Sequence, residues 1–128
     1  MMTLTEFREA RDLLSGIISN TNLIHSPYYS KCTGGEVYIK PENMQVTGAY
    51  KVRGACYKVS TLTDEEKAKG LVTASAGNHA QGVAFAAQRA GIEATIVMPT
   101  TTPLVKVNNT KDYGAHVVLE GSCFDESA

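Results

Sequence analysis

From Glu36 onward the sequence alternates short runs of strand formers with segments of helical period, and this alternation most restricts the fold. EVYIK, LVTA, ATIVM and AHVVLE read as strands of four to six residues, rich in β-branched side chains. Helical segments separate them. One follows Thr47, whose side chain is placed to cap it. A short one is opened by the capping box of Thr63 and Glu66 and ended by Gly70. A third starts near Asn78, carries Ala80, Val83, Ala84 and Ala87 on one face and stops at Gly91, and a fourth runs from Thr102-Pro103 to Tyr113-Gly114. Strands joined through helices require crossovers, so the expected class is α/β: an open parallel sheet with helices on both faces.

Upstream, Thr3 and Glu6 form another capping box, and Phe7, Ala10, Leu14, Ile17 and Ile18 recur at helical spacing, which predicts a helix to about Ser19. Residues 20–35 hold Pro27, two tyrosines and Gly34-Gly35 without steady periodicity and read as an irregular arm. The expected division is therefore residues 1–35 as helix and arm, packing on a further, larger domain or a second copy, and residues 36–128 as a small α/β domain. Gly121-Ser122 with Asp125 and Glu126 looks like a helix just opening at Ser122 before the sequence stops, so a chain cut within a domain is expected.

Lysine and arginine number 12 against 13 acidic residues, which leaves no basic excess for a nucleic acid and no polybasic membrane patch. No apolar run approaches the roughly 18 residues of a membrane span. Cys32, Cys56 and Cys123 are widely spaced, odd in number and form no CxxC pair, so neither a disulfide framework nor a metal site is expected, and the compartment expected is the reducing cytoplasm. His25 and His116 lack ligand company and read as structural or exposed.

Two stretches carry chemistry. In TGAYKVRGA, Lys51 falls in the first turn of a helix, where the macrodipole opposes a positive charge by roughly 0.3–1 kcal/mol. That assists a nucleophilic amine without creating one; the competing reading is a surface lysine whose stem lies along the protein. Arg53 beside it either pairs with an acid, lies near an anion or is simply exposed. In SAGNHAQG, a loop directly after a strand opens a helix with small residues, leaving main-chain N–H groups free for an anion. Gly77 permits close approach, and Ser75 and Asn78 offer polar atoms to a ligand; the same residues are equally ordinary helix openers. In a parallel sheet, loops at the carboxyl ends of neighbouring strands lie side by side, which would put Lys51 and this loop in one crevice.

KPENMQVTGAYKVRGA followed by SAGNHAQGVA resembles the N-terminal part of the threonine ammonia-lyases (threonine dehydratases) of the biodegradative type, pyridoxal-phosphate enzymes of the tryptophan-synthase-β fold type. The likeness extends through LTDEEKAKG and IVMPTTTPLVKV to nearly the whole chain. It implies that Lys51 holds pyridoxal 5'-phosphate as a Schiff base and removes the Cα proton of the substrate. It further implies that Asn78 contacts the cofactor's 3'-oxygen and that Ser75, Ala76, Gly77 and His79 hold the substrate carboxylate. L-Threonine would give 2-oxobutanoate and ammonia by β-elimination, L-serine would give pyruvate, and the full-length protein would be a homo-oligomer. His79 reads also as a packing residue at the helix start.

Related serine racemases resemble this chain but carry a second serine, a base on the opposite face, where Ala76 stands. Cysteine-synthase-like relatives have an acidic residue soon after the lysine and a threonine in place of His79. The common serine-phenylalanine pair before the lysine is Ala49-Tyr50 here. The family's glycine-rich phosphate loop, and the polar residue facing the pyridine nitrogen, have no counterpart in these 128 residues, so the segment alone is expected to bind the cofactor weakly and to be inactive. The alternatives are another enzyme of this fold type, such as a serine racemase, and a noncatalytic anion-binding or assembly domain.

Overall fold

Six of the seven glycines with positive φ stand where a helix or turn must stop or reverse, and they divide the chain into its elements. The computed structural model describes residues 2–128. Helix α1 (Leu4–Leu13) opens with the reciprocal Thr3–Glu6 capping box. It ends six residues before Ser19, because Gly16 adopts φ 76° and turns the chain; Leu14, Ile17 and Ile18 still pack inward, from the turn rather than from the helix.

The arm is more ordered than its lack of periodicity predicts. Strand β1 (Ile24–His25) leads into helix α2 (Pro27–Thr33), capped by Ser26, started by Pro27 and closed by Gly34 at φ 73°. Strand β2 (Tyr38–Ile39) pairs antiparallel with β1, with Ile24 opposite Ile39. EVYIK is thus not a strand of the main sheet, as expected above; only two of its residues pair, and their partner lies in the arm. The pairing crosses the boundary between residues 35 and 36.

A single 3₁₀ turn (Glu42–Met44) precedes helix α3 (Lys51–Ser60). Thr47 does not cap α3: Tyr50 occupies the N-cap without a side-chain bond, and the Thr47 hydroxyl donates instead to the Ala49 carbonyl at 3.5 Å. Gly48, at φ 70°, separates the two. Helix α4 (Asp64–Ala68) keeps its Thr63–Glu66 capping box.

Strands β3 (Leu71–Ala74), β4 (Ala94–Met98) and β5 (His116–Leu119) form a parallel sheet in the order β3-β4-β5, with Thr73 beside Ile96 and Ile96 beside Val117. The connections are helix α5 (Asn78–Ala90) and helix α6 (Leu104–Asp112). A last helix, α7 (Phe124–Ser127), follows Cys123 rather than Ser122. Ser122 donates from both N–H and hydroxyl to Glu126, the reverse of the expected cap. The fold class is α/β, a parallel sheet flanked by helices.

One sheet face presents Ala94, Ile96 and Met98, all buried against Ala80, Ala84 and Ala87 of α5, Val107 of α6 and Ala115. A second cluster joins α3, through Val52, Ala55, Cys56 and Val59, to Ala86 of α5 and Leu14. Burying a side chain such as Ile96 or Val52 contributes about 1.5–3 kcal/mol. Where α3 crosses α5 the α5 residue is Gly82, because α3 comes too close there for anything larger. A Cβ on Gly82 would lie 3.3 Å from the Lys51 carbonyl carbon and 3.3 Å from the Val52 nitrogen. Those are backbone atoms inside a helix and cannot swing aside.

Gly82→Val is therefore expected to lower stability by about 1–3 kcal/mol in urea unfolding. Gly54 lies in α3 with open space where its Cβ would be, so Gly54→Ala should raise stability by up to about 1 kcal/mol. Equal effects of the two substitutions would contradict this account of the α3–α5 contact.

Candidate active site

Lys51 is the first residue of α3, and its position is set by the close contact of its own carbonyl carbon with Gly82 of α5. Its side chain is exposed, and the ammonium rests 5.8 Å from the centre of the Tyr50 ring, a cation–π arrangement. Beside it opens a cleft of about 470 Å³ between α3 and the edge strand β3. Val59, Leu62 and Val83 give the cleft an apolar wall, while Lys51, Thr73 and His79 bring polar atoms to it. Partial desolvation, and then the nearby Lys51 charge, push His79 below its ordinary pKa, so the imidazole is neutral at neutral pH.

The loop between β3 and α5 is tied to the sheet by the Ser75 N–H, which donates to the Val97 carbonyl at 3.0 Å. The Ser75 hydroxyl accepts from the N–H groups of Gly77 and Ala80, each at 3.3 Å, and so satisfies the third residue of α5. The N–H groups of Ala76, Asn78 and His79 have no hydrogen-bond partner among the described residues, leaving donors at the positive end of a thirteen-residue helix. Space above Gly77 is open: the nearest atom to a Cβ built there is the Lys106 ammonium at 4.0 Å. Asn78 accepts from that ammonium through Oδ1 at 2.9 Å.

The structure thus brings Lys51 and His79 to one cleft. It does not line that cleft with Ser75, Ala76, Gly77 or Asn78, and the Lys51 amine is turned toward Tyr50. Asn78 lies four residues, about 6 Å of helix rise, before Gly82, on which the Lys51 backbone sits. An amine, an open glycine face and unpaired N–H donors form a donor set that fits a carbonyl compound bearing negative charge.

Arg53, which the sequence left among three readings, is paired. Its Nε donates to Glu42 Oε2 and its Nη2 to Glu42 Oε1, both at 2.8 Å. Glu42 also accepts from the Thr21 hydroxyl at 2.5 Å, and Lys40 bonds the Thr21 carbonyl. The Arg53 guanidinium, above all by hydrogen bonding, holds the Glu42 carboxyl down at about 2. Gln45, 5% exposed, donates to the Ser19 carbonyl at 2.7 Å and accepts from the Ser19 N–H at 3.1 Å. These contacts fasten the arm to the helix that carries Lys51. Neither Glu42 nor Gln45 betrays its partner in the sequence, since Arg53 lies 11 residues and Ser19 26 residues away. The meetings of Lys106 with Asn78 and of Gly82 with Lys51 likewise join distant segments and leave no local signal.

A family profile described as "Pyridoxal-phosphate dependent enzyme" matches residues 14–128. An L-threonine ammonia-lyase of Thermotoga maritima is 52% identical over 127 residues, which is 99% of this chain and 32% of that protein. Among solved structures, maize serine racemase superimposes with a TM-score of 0.90 at 36% identity, over 97% of this chain and 38% of its own. Threonine deaminase isoform 2 from Solanum lycopersicum gives 0.83 at 42% identity, over 98% of this chain and 36% of its own. The chain therefore spans about a third of the length of the proteins it matches.

Glu42 provides a test of the arm's attachment. A carboxyl held low in the folded state contributes stability that is complete above its ordinary range near 4.5 and is lost as pH falls toward about 2. Glu42→Gln should destabilise by about 1–2 kcal/mol at pH 7, an amount reduced for solvent around a partly exposed pair. The gap from the parent should close between pH 4.5 and 2 when unfolding is measured across that range. A gap independent of pH would rule out the ion pair as its source.

Proposed function

The chain belongs to the pyridoxal-phosphate dependent enzymes, and we propose that it supplies the lysine-bearing part of an ammonia-lyase acting on L-threonine, with L-serine as a second substrate. The observation that carries this reading is the seating of the Lys51 backbone on Gly82, which roots the lysine at the mouth of a cleft about one turn of α5 from that helix's free N–H groups. The 52% identity to an L-threonine ammonia-lyase over nearly the whole chain supports the substrate class.

Pyridoxal phosphate, when bound, supplies the electron sink that lets a Cα–H bond ionise. The residues to hold it are Lys51, through its amine, and Asn78, through its amide. The Lys51 stem is long enough to turn from Tyr50 toward the α5 N-terminus. There the amine takes the Cα proton of the amino acid. The N–H groups of residues 76, 78 and 79 bind the substrate carboxylate, with the α5 macrodipole adding to the attraction. Ser75 orders this loop: its oxygen already accepts two N–H groups, so it fixes Gly77 and Ala80 while the outward donors stay free.

His79, neutral beside Lys51, adds no competing charge at the carboxylate and leaves the cleft able to accept a neutral amine. Ala76 has no hydroxyl and so cannot return a proton to the opposite face of Cα. With a base on one face only, the bond to the β-hydroxyl breaks rather than the stereocentre inverting. The products are 2-oxobutanoate and ammonia from threonine. The residues before 36 would brace this unit against a further domain: Leu4, Phe7 and Leu13 of α1 expose apolar surface in this chain.

The test is made on the full-length protein that carries this sequence. Lys51→Ala should reduce deamination of L-threonine about a thousandfold or more and abolish the visible band formed with pyridoxal phosphate. Because Lys51 is exposed, the cofactor-free variant should retain the thermal midpoint of the cofactor-free parent. L-Serine should yield pyruvate without accumulation of D-serine; accumulation of the D-isomer at a comparable rate would favour the racemase reading.

A further inference from the structure

Lys106 sits where elementary electrostatics would not put a cation. It lies in the first turn of α6, and its ammonium reaches the first turn of α5, so the positive ends of two helices oppose it. No carboxylate is paired with it among the described residues. Its one side-chain hydrogen bond there is to Asn78 Oδ1, at 2.9 Å.

The contact is registered rather than incidental. Three residues further along each helix, Asn109 Nδ2 of α6 donates to Gln81 Oε1 of α5 at 3.4 Å. Two polar rungs at matching spacing, 106 to 78 and 109 to 81, thus join the same faces of the two helices. The Lys106 turn is further held by the Thr110 hydroxyl, which donates to the Lys106 carbonyl at 2.8 Å. An ammonium has donors only, so whatever it bonds must present oxygen. Lys106 therefore decides which way the Asn78 amide faces, and the amide NH₂ is left to point elsewhere.

We propose that Lys106 is a positioning residue: by binding Oδ1 it locks the Asn78 side chain with its NH₂ group available to an anionic ligand oxygen, and polarises that amide as a donor. The proposal rests on the preceding reading, in which Asn78 is a cofactor contact, and adds the residue that orients it. A freely rotating asparagine would present oxygen as readily as nitrogen and would repel a phenolic oxyanion in half of its orientations. The positive charge behind the amide also strengthens the N–H donor facing the ligand. Placing a cation at two helix N-termini is then explained, since its role is exercised on a negative ligand rather than in the unliganded fold.

The test is a double-mutant cycle in the full-length protein that carries this sequence, with the dissociation constant of pyridoxal 5'-phosphate read from the visible absorbance. Lys106→Met and Asn78→Ala should each weaken binding roughly three- to tenfold, while Lys106→Arg, which keeps a charged donor, should stay within about twofold of the parent. In the Asn78→Ala background, Lys106→Met should add nothing. Additive losses would mean that Lys106 acts on the ligand's charge or on the fold directly, and would overturn the proposal. So would unchanged binding in Lys106→Met where Asn78→Ala is weakened. If Asn78→Ala binds like the parent, the assignment of Asn78 itself has failed, a result distinct from failure of Lys106 alone. Independently of the cofactor, the Asn78 side-chain amide resonances of the ligand-free protein, identified by their loss in Asn78→Ala, should move in Lys106→Met and hold in Lys106→Arg. Identical spectra in the parent and Lys106→Met would refute the orienting bond.

Discussion

The contact between the first turn of α3 and Gly82 governs the rest of the arrangement. Two helices can approach this closely only where one of them has no side chain, and a Cβ at that point would lie 3.3 Å from main-chain atoms of Lys51 and Val52. The α5 residue buried in the same layer is also small, Ala86, while Ala80, Ala84 and Ala87 face the sheet and α6. Small residues would be a weak source of hydrophobic stabilisation if they stood alone. Their value is geometric, since they let α3 lie down on α5 and bury Val52, Ala55, Cys56 and Val59 in one layer. The same geometry places the root of the Lys51 side chain one turn from the end of α5 without any contact made by Lys51's own side chain. The amine thereby keeps its freedom to move while its Cα does not.

A long lysine on a rigid helix still needs that helix held from outside, and here the polar ties of the arm matter more than its apolar ones. Glu42 binds Arg53 through both oxygens, two residues from Lys51, and Gln45 binds the Ser19 main chain in the manner of a strand partner. Arg53 is only half-buried, whereas Gln45 is buried, yet each tie uses two hydrogen bonds, and paired bonds fix direction as well as distance. The residues between, from Val46 to Tyr50, bend with Gly48 at φ 70° and supply no side-chain cap to α3. The unoccupied donors of that helix end add to the positive potential around Lys51.

What could be read from the sequence was whatever depends on neighbours along the chain. The capping boxes at Thr3 and Thr63, the stops at Gly70 and Gly91 and the strands LVTA, ATIVM and AHVVLE are set by local sterics and hydrogen bonding, and all lie where expected. The failures involve choice among distant partners. EVYIK has the composition of a strand, but whether it joins three others or a two-residue partner in the arm depends on where the arm runs. Ser26-Pro27 and Gly34 mark the two ends of α2 in the sequence, but the six residues between them lack the apolar stripe by which a helix is recognised. Thr47 has the right chemistry for a cap at the wrong distance. At the site, the type of each residue in SAGNHAQG was legible, whereas the Lys106–Asn78 and Gly82–Lys51 contacts join segments about 30 residues apart and required the fold.

The charges around the site would favour an anionic ligand even though the chain carries a net charge of −1. Lys51 and Lys106 stand at or against the N-terminal turns of α3, α5 and α6, and no carboxylate among the described residues pairs with either. Each such placement opposes folding by roughly 0.3–1 kcal/mol, so the unliganded fold carries a small electrostatic strain. An anion bound at a hundred times its dissociation constant would add about 2.7 kcal/mol to folding stability, more than either cation costs. The Lys51 charge that strains the empty site would thus favour a filled one directly, whereas Lys106 would act through the amide it orients, so preference for a negative ligand would follow from where these few groups are held rather than from the composition of the chain.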